Sequence, residues 1–467
     1  MANSQVQLYY KNATSDIIDA EHGITADQLK SLAQKTAPLI KQLDAERKAG
    51  KTPYRDLPYN EQMLKKVKQL ASQVKNECDI LVILGIGGSA LGNIALQTAL
   101  NPYMYNLDDK QRNGPRLFVF DNIDPSQLSS FLDWIGDKLD RTIFNVISKS
   151  GRTAETASQL MIVTQMLLDK FGPQGLQKHV IATTDSQKGT LRTIANDAKL
   201  RSLEVPDGVG GRFSVLSDVG LFGAAMCGID VDLLMQGARD MDVRVSSEDF
   251  YKNPAAINAA IKYHFYNQGK KNSVMMSYSY ALKDFADWYR QLWAESLGKA
   301  KDLTGKEVHI GPTPIKALGT TDQHSQVQLY REGPNDKLFT FLQVDKFERD
   351  PKIGPAPEVE LEFLEGASLS TLLNSEKKAT EYALLNDKRP CLTVAFDSVN
   401  PYSVGQFIYL YEVTTSFAGA LFNINTYDQP AVELGKEATF ALMGKAGYEK
   451  LAQQIKHLAK IDGDFLV

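Results

Sequence analysis

Three hydroxyls stand on one short stretch, "ISKSGRTAET" (147–156): Ser148, Ser150 and Thr153, with Gly151 among them. Lys149 and Arg152 add positive charge beside them. Hydroxyl donors and the free N–H groups of a starting helix can hold a phosphate monoester without a metal. The stretch is no Walker A loop, because no G-K-[ST] follows a glycine loop. Capping by Ser150 or Thr153 accounts for the same hydroxyls, and one residue can do both.

A second stretch, "GIGGSALG" (85–92), places Gly85, Gly87, Gly88 and Gly92 around Ser89. Gly85 ends an apolar run and Ala90 begins a helical pattern. Glycines remove the β-carbons that hold a ligand off the backbone, and a helix N-terminus suits an anion. The plain alternative is a tight turn with Ser89 as N-cap. Gly85, Gly87 and Ala90 also satisfy G-x-G-x-x-A, with Asp121 ending the next strand later than usual. On this turn alone, hydride transfer with a nicotinamide cofactor stays open. A third stretch, "GVGGRFSVLSDVG" (208–220), frames Arg212 with Gly210, Gly211 and Ser214. That frame would bring a forked, always-charged head to a cavity; a solvated surface arginine is the alternative.

Elements that could position these residues follow from the apolar pattern. Runs at 79–85, 116–121, 141–148 and 179–185 are apolar on both faces, as central parallel strands require. Helix-like segments separate them, which predicts a parallel sheet covered on both sides. A second unit of the same kind is expected from strands at 272–279, 337–345 and 391–397. Helices are expected at 24–50, with Thr25 as cap, at 60–75, and at 253–269 as a link. The prolines and acids of 346–365 predict a surface loop or hairpin.

Composition narrows the class. Of 467 residues, 43% are hydrophobic and 23% charged, with a formal net charge of −4. No long basic stripe is present, so nucleic acid is not an expected partner. Cys78, Cys227 and Cys391 form no CxxC pair, which argues for buried reduced thiols rather than disulfides or zinc. The N-terminal "MANSQVQLYYKNATSD" has no signal-peptide pattern, and no apolar stretch is long enough to span a membrane. A soluble, cytoplasmic protein without membrane partners is expected.

Six motifs in order, "LGIGGSALG", "SKSGRTAET", "GGRFSVLS", "WAESLGK", "GTTDQHSQVQL" and "YDQPAVELGK", resemble the phosphoglucose isomerase family. The resemblance runs from about Lys65 to about Gly444 and is to the short bacterial type. It implies an α/β fold of two sugar isomerase domains, each a mainly parallel sheet flanked by helices in three αβα layers. On that basis residues 1–60 are expected as an N-terminal helical segment, 61–235 as the first domain, 236–445 as the second and 446–467 as a C-terminal helix.

The resemblance also implies the chemistry: interconversion of glucose 6-phosphate and fructose 6-phosphate without metal or organic cofactor. The expected assembly is a homodimer with its active sites at the subunit boundary. Glu295 matches the family's base, which moves a proton between C2 and C1 through a cis-enediol. Its helical neighbours Trp288, Leu292 and Trp293 are expected to lower the polarity around it. His324 matches the ring-opening histidine supplied by the neighbouring subunit, and Lys436 a lysine that assists. Arg212 matches the group that stabilises the enediolate. Gly88 and Ser89 would contact the sugar or phosphate side. Ser148, Lys149, Ser150 and Thr153 would hold the phosphate, and Gln291 and Gln429 would line the pocket. Departures from the family pattern are Leu297, "TTDQH" for "TNGQH", Pro430, Gly151 and Arg152; they bear on sugar-face specificity, mannose 6-phosphate included. A non-catalytic sugar-phosphate sensor is the rival reading. It would commonly carry a basic helix-turn-helix, which is absent here, and would leave Glu295, His324 and Lys436 superfluous.

Overall fold

Two five-stranded sheets organise the chain, as a computed structural model describes it for residues 5–458 and 461–467. The short strand β1 (Gln7–Tyr9) belongs to the second sheet. The first sheet holds β2 (Ile80–Leu84), β3 (Arg116–Phe120), β4 (Thr142–Ile147), β5 (Val180–Thr184) and β6 (Arg201–Glu204). Its spatial order is β3-β2-β4-β5-β6, all parallel. Every residue of β2, β4 and β5 is buried, which is why these strands read as unbroken apolar runs. Edge strands β3 and β6 are only partly buried.

The second sheet adds β7 (Asn272–Ser277) and, later in the chain, β10 (Thr313–Leu318), β11 (Lys337–Val344) and β12 (Cys391–Phe396). The small strands β8 (Lys299–Lys301) and β9 (Glu307–Ile310) form a separate antiparallel pair. The order is β1-β12-β11-β7-β10, parallel except for β1, which runs antiparallel on the edge. Both sheets are flanked by helices, in agreement with the expected α/β class.

The helix Ala26–Lys48 starts with the expected cap: Thr25 and Gln28 form a reciprocal capping box. The helix Pro401–Phe422 is buried along nearly its whole length and packs on Val231–Val245. Glycines set that approach, since a β-carbon on Gly405 would stand 1.9 Å from the Leu234 carbonyl oxygen. Segment 346–365 is mainly an exposed loop, ending in a short 3-10 turn at Val359–Leu364. The three cysteines are free and buried, and burial pushes the Cys78 and Cys227 thiols up to about 12. No described helix is long and apolar enough to cross a membrane. The contacts divide the chain into one compact unit up to Thr426 and a small second one, Tyr427–Val467. The second contains the helices Glu433–Leu442 and Glu449–Leu458.

Candidate active site

Strand β2 is the point where the first sheet changes direction. The chain lays β3 on one side of it and then crosses to lay β4 on the other. Ligand crevices open at the carboxyl ends of such strands. The glycine turn leaves β2 there, and the hydroxyl turn leaves β4 beside it.

Close approach explains the glycines. A β-carbon on Gly88 would stand 2.1 Å from the carbonyl carbon of Gly211, backbone against backbone. Gly87 sits at φ +58°, where its missing side chain leaves room for the Gln291 amide. The two loops carrying Ser89 and Arg212 therefore lie in contact, each framed by glycine. Ser89 closes a 3-10 turn, Gly87–Ser89, and does not cap the following helix; Ala90 holds that position without a side-chain bond. The capping alternative for Ser89 is thus set aside.

Arg212 is 1% exposed. Its Nε donates to Ser296 Oγ (2.8 Å), Nη2 to the Thr426 carbonyl (2.8 Å) and Nη1 to Glu295 Oε2 (3.3 Å). Glu295 lies near the end of the helix Lys283–Leu297, its side chain 33% exposed, and its other oxygen accepts from Gln291 Nε2 (3.0 Å). Residues four apart share a helix face, so Gln291 and Glu295 project together. Trp288, Leu292 and Trp293 are buried in the core. At the carboxylate itself, a guanidinium and an amide are the partners.

In the hydroxyl turn, buried Ser148 accepts the Gly151 N–H at 3.0 Å, and Ser150 Oγ accepts the Arg152 N–H at 3.2 Å. Ser148 and Thr153 hydroxyls stand 3.4 Å apart. Gly151 has φ +68°, and a β-carbon there would meet the Leu191 nitrogen at 2.1 Å. Thr153 takes the N-cap position of the helix Ala154–Phe171 with no side-chain cap bond. The first N–H groups of that helix therefore carry no side-chain cap, an arrangement that suits an anion. The Lys149 ammonium turns toward the Pro206 carbonyl and Asp207, at 3.5 Å from each.

Other expected residues lie elsewhere. His324 is exposed at the end of the 3-10 turn Thr321–Gln323. Asp322 braces that turn by accepting the Leu318 N–H (2.7 Å) and the Ser325 hydroxyl (2.5 Å). Gln429 and Lys436 belong to the small second unit. Gln429 precedes a 3-10 turn, and Lys436 pairs with Glu433 at 2.7 Å, both side chains more than half exposed. Ser296 and the Thr426 carbonyl are partners of Arg212 that sequence reasoning missed. Ser296 adjoins the matched glutamate, but a backbone carbonyl leaves no trace in side-chain patterns. Among the described residues no cluster of three His, Cys, Asp or Glu could hold a metal ion.

The phosphoglucose isomerase family model matches residues 59–354 and 356–456. The chain belongs to the phosphoglucose isomerase family. Among relatives, the glucose-6-phosphate isomerase of Carboxydothermus hydrogenoformans is 46% identical over 431 residues, 91% of this chain and 92% of its own. That of Rubrobacter xylanophilus is 40% identical over 451 residues, 95% and 99% of the two chains. A hypothetical protein of Thermus thermophilus superposes with TM-score 0.83 at 31% identity, covering 94% of this chain and 100% of that one. A Chlamydia trachomatis glucose-6-phosphate isomerase shares the fold, with TM-score 0.80 at 22% identity over 98% and 92%. Membership of the phosphoglucose isomerase family decides against the dinucleotide reading of the glycine turn.

Proposed function

We propose that this chain interconverts D-glucose 6-phosphate and D-fructose 6-phosphate, serving glycolysis and gluconeogenesis. Besides family membership, one observation carries the reading: Glu295 and Arg212 face each other at 3.3 Å, on elements that meet the glycine turn at the carboxyl end of β2.

The chemistry follows from those groups. His324 and Lys436 assist ring opening, in which the anomeric hydroxyl loses a proton and the ring oxygen gains one. Glu295 removes the C2 proton; the electron pair forms the C1–C2 double bond, and the carbonyl pair moves onto the C1 oxygen, giving an enediolate whose charge Arg212 meets. The same carboxyl returns that proton to C1, while the C2 hydroxyl becomes a carbonyl by passing its own proton to the C1 oxygen, so that no net proton is gained or lost. Arg212 is pre-placed for the oxyanion and needs no reorganisation, being buried and held by Ser296 and Thr426. Ser148, Ser150, Thr153 and the backbone at Lys149 grip the phosphate, Gly88 and Ser89 meet the sugar side, and Gln291 and Gln429 line the pocket. Steps of this kind run without metal.

The exposed position of His324 supports its action in a neighbouring subunit of a homodimer. We assign the two sugar isomerase domains to 61–235 and 236–445 and the protein to the cytoplasm. The test is Glu295→Gln. General-base removal costs roughly 10²–10⁴ in kcat, with fructose 6-phosphate binding retained by calorimetry. Turnover within tenfold of the parent sinks the assignment. Mixing Glu295→Gln with His324→Ala chains restores activity in hybrids if the site is shared across subunits.

A further inference from the structure

Lys262 lies in the helix Pro254–Asn267 and is 5% exposed, and among the described residues no carboxylate is paired to it. A buried ammonium without a counter-charge is costly, and such groups are rare away from functional positions. Its donors are nonetheless spoken for. Nζ donates to Ser273 Oγ on β7 and to Thr340 Oγ1 on β11, both at 3.1 Å. The remaining side of the ammonium lies 5.6 Å from the ring centre of Tyr289 and 5.4 Å from that of Trp293, within reach of cation–π attraction. Ser273 also shares a 2.7 Å hydrogen bond with the Tyr289 hydroxyl. One nitrogen thus ties two neighbouring strands and one helix to a second helix.

That second helix carries the site. Tyr289 and Trp293 are four residues apart on its buried face. Gln291 and Glu295 are each two residues further on, about 200° round the axis, on the opposite face. Whatever seats the first pair sets the reach of the second. Burial pulls the Lys262 amine down to about 7, a mark of how poorly the surroundings suit its charge.

We propose that Lys262 is a positioning residue, seating the Lys283–Leu297 helix on the second sheet so that Glu295 meets both the sugar carbons and Arg212. This rests on the reading of Glu295 as the base.

The experiment compares Lys262→Met, Lys262→Arg and Tyr289→Phe in the full chain, with Glu295→Gln as reference. Lys262→Met is expected to fold, keep KM within twofold and lose about tenfold in kcat, a loss the size of 1.4 kcal/mol in barrier. The isotope effect of C2-deuterated glucose 6-phosphate should rise, because proton transfer becomes more limiting. Lys262→Arg, which keeps a cation against the rings, should regain most of kcat, and Tyr289→Phe should fall between. A folded Lys262→Met chain with unchanged kcat and isotope effect overturns the inference. So does a parallel decline of kcat, KM and melting temperature that arginine does not rescue. Should methionine prevent folding, the arginine and phenylalanine variants decide by the same criteria. Turnover by Glu295→Gln would instead refute the base assignment itself.

Discussion

Replacing Lys262 by methionine should make the protein more stable, and by an amount that depends on pH. The folded-state amine sits at about 7 against 10.5 for an ordinary lysine, with burial as the cause. The unfolded chain therefore binds more protons between those values, and stability rises with pH across that window. Below pH 7 the full penalty applies. A gap of about 3.5 at 1.36 kcal/mol each gives about 5 kcal/mol as an upper bound. Methionine removes it but strips a donor from Thr340, costing about 1 kcal/mol at every pH. Urea unfolding of parent and variant at pH 6.5, 7.5, 8.5 and 9.5 isolates the residue, because other titrations cancel in the difference. The variant should lead by on the order of 3–4 kcal/mol at pH 6.5, and the lead should shrink by about 1 kcal/mol per pH unit above pH 7.5. A lead that does not change with pH, or a less stable variant at pH 6.5, refutes the reasoning. A gain in stability together with slower turnover is what a functional burden predicts.

Arg212→Met should lower kcat by roughly 10²–10³, about 3–4 kcal/mol, with a smaller change in KM; steady-state kinetics within threefold of the parent would remove its electrostatic role. Gly88→Ala drives a β-carbon to 2.1 Å from the Gly211 backbone, so a loss of about 2 kcal/mol and of activity is expected, read by melting and turnover. Asp218 accepts the Glu204 N–H at 2.8 Å, yet burial raises its carboxyl to about 6 from 3.8. Its acid form is favoured in the fold, so stability falls as pH rises from about 4 to 6. Asp218→Asn should flatten that limb and gain on the order of 2–3 kcal/mol at pH 7, measured by denaturant unfolding at pH 4.5 and 7.

Central strands were legible because burial on both faces leaves an unbroken apolar run, as in "ILVIL" of β2. Strands β1, β6, β8, β9 and β10 were not. The first four are short, with three or four residues each, and β10 carries Lys316 at its middle. Glycine spacing drew attention to the loops around Ser89 and Arg212, whose backbones meet at Gly88 and Gly211, since close backbone contact demands glycine whatever the ligand. The setting of Glu295 was only partly legible: Trp293 is two residues away and on the opposite face, and the guanidinium that meets the carboxylate comes from 83 residues away. Arg212's bond to the Thr426 carbonyl spans 214 residues through a backbone atom, which no side-chain pattern records. The burden of Lys262 was equally hidden, because a lysine's burial is decided by the fold around it.

The most direct test of the account is a crystal structure with fructose 6-phosphate soaked into the Glu295→Gln protein. The account predicts phosphate oxygens within hydrogen-bond reach, about 3 Å, of Ser148, Ser150 and Thr153, with C1 and C2 about 3–3.5 Å from residue 295. Phosphate bound away from the 148–153 turn, or sugar carbons out of reach of residue 295, would contradict it.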